Sequence, residues 1–148
     1  MLDVRLLMEG IDPESMTTAL AESSDDIGGI ATFVGRVRGS EDVEALELLH
    51  YEPLTLPGMK ELGHSAIERF DLAGLVMLHR IGLIGPGEPI VCVSAAARHR
   101  RSAILATDYC MDHLKSAAWF WKREQRAGKW RWIEPRPQDH RDLARWHD

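Results

Sequence analysis

Residues 89–128 read PIVCVSAAARHRRSAILATDYCMDHLKSAAWFWKREQRAG, and the change of pattern inside this stretch decides the fold. Pro89 to Ala96 reads as a strand. Arg98, His99, Arg100 and Arg101 follow where that strand ends. From about Arg101 to Arg126 the sequence predicts one long helix, stopping at Gly128, a residue type suited to a helix C-terminus. Met111, Lys115, Ala118 and Lys122 succeed one another at spacings of four, three and four, which makes a single helical stripe. Seven residues of helix advance about 10 Å and complete nearly two turns, so Lys115 and Lys122 are expected on one face.

Working towards the N-terminus, a strand at Leu75 to Ile81 precedes a turn around Gly85-Pro86-Gly87. Before it, Pro57 is expected to begin a helix carrying Met59, Leu62, Ala66, Ile67 and Phe70 at helical spacing. Ala45 to Tyr51 reads as a strand, and Gly39 to Asp42 as a polar connection. Gly28-Gly29 opens a β-rich run from Ile30 to Val37. Side chains alternate along a strand, so Thr32, Val34, Arg36 and Arg38 should share one face, with Ala31, Phe33 and Val37 towards the core. Asp12-Pro13-Glu14 supplies a capping acid, a proline at the first helical position and a carboxylate facing the helix dipole. That helix should run to about Glu22, after a first strand from Leu2 to Met8. Beyond Gly128, Trp130 to Ile133 reads as a short strand leading into a polar tail. No linker or repeat divides the chain, which predicts a single α+β domain over residues 1–148, with a mostly antiparallel sheet and flanking helices.

A chain of 148 residues can bury a real core without staples. Its formal net charge of −5 argues against a general nucleic-acid binder, which would be basic. No apolar run is long enough to span a bilayer, and Asp3 and Arg5 interrupt any signal-peptide pattern, so the expected location is cytoplasmic. Cys92 and Cys110 lack CxxC spacing and read as reduced core residues. His50, His64, His79 and His113 lack metal-ligand spacing, so neither metal nor cofactor is expected. No phosphate-loop glycine pattern and no G-x-S-x-G elbow is present.

The positive charge is gathered instead at Arg98 to Arg101 and at Arg36 and Arg38. The first cluster opens the long helix, where free N–H groups and the helix dipole favour phosphate, and arginine adds forked, charge-assisted hydrogen bonds. Arg36 and Arg38 could serve the same anion from a neighbouring strand or another subunit. Two lysines beside Met111, Ala118, Trp119 and Trp121 would lose hydration, which favours the neutral amine and suits a nucleophile, base or anion clamp. The plainer reading pairs Lys115 with Asp112 one turn earlier. These residues suggest a phosphate-bearing substrate held near lysines, without naming a reaction.

The chain resembles the MoaE family, the large subunits of molybdopterin synthase. The resemblance rests on Gly29-Ile30-Ala31-Thr32-Phe33-Val34-Gly35-Arg36-Val37-Arg38, on His50-Tyr51 with Pro57-Gly58-Met59, and on His79-Arg80-Ile81-Gly82 with Gly85-Pro86-Gly87-Glu88. It is most specific at His99-Arg100, at Met111-Asp112-His113-Leu114-Lys115 and at Phe120-Trp121-Lys122-Arg123-Glu124. It implies an α/β hammerhead fold, a homodimer, and a small ubiquitin-like sulfur-carrier subunit of the MoaD type at each end. The implied activity is a sulfurtransferase that converts cyclic pyranopterin monophosphate (precursor Z) to molybdopterin. The dithiolene sulfurs would arrive as a thiocarboxylate on the carrier's C-terminal glycine. Lys115 matches the family's catalytic lysine and Lys122 its second active-site lysine. Arg38, His99 and Arg100 match its substrate-binding residues, the His-Arg pair coming from the opposite protomer. The chain departs from the family in a short connection after Arg38, in Glu52 to Leu56 as added sequence, and in Trp119 where proline is common. Rival readings are a non-catalytic docking module for a ubiquitin-like partner and a phospho-ligand binding module.

Overall fold

Runs of small and apolar residues make β6 (Pro89–Ala97) and β4 (Gly74–Arg80), the latter ending in His79-Arg80, the interior strands of a first sheet. In the computed structural model, which describes residues 1–40, 42–116 and 119–147, that sheet has the order β1-β4-β6-β2. Its edges are β1 (Leu2–Leu7), parallel to β4, and β2 (Gly29–Arg36), antiparallel to β6. Helices cover both faces. α2 (Glu52–Phe70) and α3 (Arg100–Ser116) bury Met59, Leu62, Ala66, Ala106, Cys110 and Leu114 against Leu75, Met77, Val93 and Ala95. On the other face α1 (Pro13–Ala21) packs Leu20 against Val76, Leu78 and Cys92.

A second sheet, β5-β3-β7-β8, is antiparallel throughout and comprises β3 (Ala45–His50), β5 (Gly82–Ile84), β7 (Phe120–Arg126) and β8 (Lys129–Ile133). Val37, Leu46, Leu48 and Ile84 form its core, and Phe120 belongs to both this core and the α2–α3 core. A last helix, α4 (Pro137–Ala144), returns to α3, where Arg145 and Trp146 both bind Asp112. Among the described residues, no helix is long and apolar enough to cross a membrane. The mixed architecture and mostly antiparallel pairing agree with the sequence expectation.

Several expectations are corrected. The long helix ends at Ser116, and residues 120–126 form a strand hydrogen-bonded on both sides, to β3 and to β8. Phe120, Trp121 and Trp132 favour a pleated surface, and two sheet ladders outweigh the helical stripe that the spacing suggested. Ala118, assigned to that stripe, lies outside the described residues. Helix α2 begins at Glu52, not Pro57, because the Tyr51 carbonyl accepts from the amides of Leu54 and Thr55 and so closes a first turn ahead of the proline. Glu52 to Leu56, read as added sequence, form the first turn and more of this helix. Trp119 packs over Gly58, where a Cβ would stand 2.6 Å from the indole. Strand β5 and helix α4 were not anticipated.

In β2 the alternation holds only in part. Ala31 packs inward and Val37 is buried as expected, but Phe33 is exposed. Ile30 and Val34 lie against the α1 core while Thr32 between them stays exposed, so the face assigned to Thr32 and Val34 is only partly covered. A register shift between Gly35 and Arg36 breaks the alternation before it reaches Arg38.

Candidate active site

Between the two sheets lies a small cavity of about 150 Å³. Strand β2 contributes Phe33, Gly35 and Arg36, β4 contributes His79, and the last turn of α3 contributes Met111, Leu114 and Lys115. Phe120 and Lys122 enter from β7. Because residues two apart share a strand face, Phe120 and Lys122 point the same way. Lys115 and Lys122 thus meet as the sequence expected, but across a helix end and a strand.

Among the described residues, the polar side chains of this lining are Arg36, His79, Lys115 and Lys122, with no carboxylate. Nearby acids are already engaged. Asp112, the simplest partner for Lys115, instead accepts from Arg145 at 2.7 Å and from the Trp146 indole at 2.6 Å. Glu124 is held by Arg126 and Arg131, both at 3.0 Å. Asp139 is held by the backbone and side chain of Arg136. The result is a pocket of cations with an apolar floor, suited to an anion. Burial, and then the charge of Lys115, hold the Lys122 amine below its ordinary value.

His79 is buried, with its ring stacked on Phe120 at 4.0 Å between centroids and 14° between planes. Burial pushes its imidazole down to about 4, and the charges of Lys122 and Lys115 press the same way. The ring is therefore neutral at physiological pH. Its Nδ1 stands 2.8 Å from the Arg80 carbonyl oxygen, which can only accept, so Nδ1 carries the proton.

Arg38, His99 and Arg100 do not line this cavity. All three are exposed, Arg38 beyond the end of β2 and the His-Arg pair at the start of α3. Fifteen helical residues separate Arg100 from Lys115, about 22 Å. Sequence reading placed no functional role on His79 and assigned Phe33 to the core. The only sequence signal for either was its position within the motifs that carried the resemblance. Among the described residues no three His, Cys, Asp or Glu side chains converge as metal ligands do.

The sequence profile of the family described as MoaE protein matches residues 7–117. A molybdopterin synthase catalytic subunit from Caulobacter vibrioides is 41% identical over 144 residues, covering 97% of this chain and 96% of the relative. That alignment is long enough to take in β7, which the profile match does not reach. Among solved structures, a molybdopterin biosynthesis MoaE protein from Burkholderia ambifaria superposes with a TM-score of 0.85 at 34% identity, covering 100% of this chain and 99% of its own. One chain of a complex of subunits 1 and 2 of molybdopterin-converting factor from Helicobacter pylori shares the fold. Its TM-score is 0.76 at 21% identity, over 90% of this chain and 91% of that one.

Proposed function

The chain belongs to the MoaE family, and from that premise we propose that it is the catalytic large subunit of a molybdopterin synthase, a transferase of molybdenum cofactor biosynthesis. The observation that carries the reading is the meeting of Lys115 and Lys122 in a cavity with Arg36 and, among the described residues, without a carboxylate. The substrate is cyclic pyranopterin monophosphate, and sulfur arrives as the C-terminal thiocarboxylate of a small ubiquitin-like carrier subunit. The related fold within a two-subunit converting factor supports a small partner of this kind.

Both reactants are anionic, so the cavity's cations attract them without a metal ion. Lys115, at the open end of α3, stabilises the charge that develops as sulfur leaves the carrier and passes the accompanying proton. Lys122, deeper and partly dehydrated, orients the same anions. The apolar lining from Phe33, Met111 and Leu114 excludes water from the thiocarboxylate.

Arg38, His99 and Arg100 bind the substrate's phosphate and pterin. His99 and Arg100 stand a helix length from Lys115 of their own chain, which supports their acting on the cavity of a second protomer in a homodimer. The test is a reconstitution of the purified chain with thiocarboxylated carrier and precursor Z, reading molybdopterin as its fluorescent oxidised derivative. Product from the native chain and little from Lys115→Ala is the expected outcome. Carrier binding without product, beside an active control, would replace the reading with a docking module.

A further inference from the structure

His79 is a buried histidine for which the proposed reaction has so far no use. It stands on β4, in the first sheet, and its ring lies flat on Phe120 of β7, in the second. The two sheets share no hydrogen-bonded strand pair among the described residues. The stack therefore joins them directly at the cavity wall. Lys115 reaches the cavity from α3, which packs on the first sheet, and Lys122 reaches it from the second. Phe120 and Lys122 are two apart on one strand, so whatever fixes the phenyl ring fixes the root of the lysine.

We propose that His79 is a positioning residue: by stacking on Phe120 it holds β7 against β4 and sets where Lys122 stands relative to Lys115. The assignment rests on the molybdopterin synthase reading for its consequence in catalysis, but the geometric claim can be tested without it. Two further features suit the ring to this task. The Nδ1–H bond to the Arg80 carbonyl fixes its rotation, so the face offered to Phe120 does not turn. Its neutrality adds no fourth charge to a wall that already carries Arg36, Lys115 and Lys122. The remaining Nε2 lone pair meets no hydrogen-bond donor among the described residues.

The readout is the titration of Lys122. The groups bearing on it are Lys115 of α3, Asp139 of α4, Arg136 just before α4, Glu124 on its own strand and His79 of β4. The purified chain alone is labelled with acetic anhydride across a pH series. Acetylation of Lys122 is then compared with that of exposed Lys60 in the same sample by peptide mass spectrometry. In the native chain Lys122 titrates below the usual lysine value of about 10.4. In His79→Ala the midpoint rises towards that value, because the strand is free to let the amine meet water. Each unit of rise slows its labelling at neutral pH about tenfold. His79→Phe keeps a stacking ring and stays near native. If His79→Ala does not fold, Phe120→Leu removes the stack from the other side and should give the same rise.

A folded His79→Ala or Phe120→Leu with an unchanged Lys122 midpoint would overturn the proposal. So would His79→Phe shifting as far as His79→Ala, because the nitrogens rather than the stack would then be responsible. In the reconstituted reaction His79→Ala lowers kcat more than it raises KM for the carrier, and His79→Phe restores most of it. A labelling shift in a chain with no native activity would leave the positioning role standing and remove only the reaction assigned to the cavity.

Discussion

The Thr55 hydroxyl lies 2.9 Å from the carbonyl oxygen of Tyr51 and 3.2 Å from that of Trp119, tying the first turn of α2 to the residue that leads into β7. The side chain is fully buried. The Tyr51 carbonyl also accepts two amides of that turn, and the Trp119 carbonyl also accepts the Tyr51 amide at 3.4 Å, so the Thr55 hydroxyl adds a side-chain donor to a backbone contact already joining the two segments. The contact links the start of the second helix to the approach of the strand that carries Lys122.

Thr55→Val keeps the shape of the side chain and removes only the hydroxyl. Losing that hydrogen bond, with the Tyr51 amide still on the Trp119 carbonyl, should lower stability by about 1 kcal/mol. Urea unfolding would read this as a lower midpoint with an unchanged slope. A midpoint equal to that of the native chain would mean that the hydroxyl contributes nothing and that helix α2 starts where it does for other reasons.

His79 makes stability sensitive to mild acid. Its folded value of about 4 lies below the ordinary 6.5, so the unfolded chain binds the proton more readily. Stability from this group is complete above pH 6.5 and is lost progressively as pH falls towards 4. The full span corresponds to about 3 kcal/mol. Asp139 and Glu124, whose carboxyls are held low by their arginine partners despite burial, add losses at lower pH. His79→Phe should therefore flatten the stability curve between pH 6.5 and 4.5 while leaving the steeper fall below it. Parallel curves for the two proteins in that window would show that the imidazole is not buried as a neutral ring.

The pairing of Lys115 with Lys122 was legible in the sequence, and the element carrying Lys122 was not. Over residues 111–126 a helical stripe fits the lysine spacing, yet Phe120, Lys122 and Glu124 also fit the inward face of a strand. The arbiter is a ladder to β3, whose residues lie some seventy positions earlier, and local spacing does not see it. The α2 start was hidden for a related reason, since Pro57 is an ordinary helix opener until Thr55 and the Tyr51 carbonyl supply an earlier turn. Phe33 looked like core because strand alternation assumes a covering layer at every position, and β2 is an edge strand whose Phe33 borders the cavity. His79 carried no spacing signal because its partner is a single phenyl ring from the other sheet.

The β7–β8 hairpin turns through Ala127 and Gly128, both with positive φ, 47° and 74°. Two such residues between Arg126 and Lys129, which pair directly, make the tight turn that matches strand twist. Glycine fits this geometry and alanine does not, because its Cβ meets the neighbouring carbonyl. Ala127→Asn should raise stability by about 0.5–1 kcal/mol, since asparagine tolerates the left-handed region. Thermal unfolding would read a higher Tm. A lower one would mean that the alanine methyl makes a contact that outweighs its strain.

Lys122 sets stability against function. Its amine is dehydrated and faces the like charge of Lys115, so the folded chain holds its proton less tightly than the unfolded one does. Folded stability from this group is therefore reduced below the ordinary lysine value of about 10.4, and rises with pH between the lowered folded value and that point. Lys122→Met keeps an unbranched chain of similar reach and removes both the repulsion and the buried charge. The variant should be more stable than the native chain at neutral pH, by about 0.5–1 kcal/mol, with a flatter stability curve on the alkaline side. In the reconstituted reaction it should still bind the carrier and make much less molybdopterin. Lower stability would place the amine in a favourable contact within the fold, and undiminished turnover would leave Lys115 as the one lysine the chemistry needs.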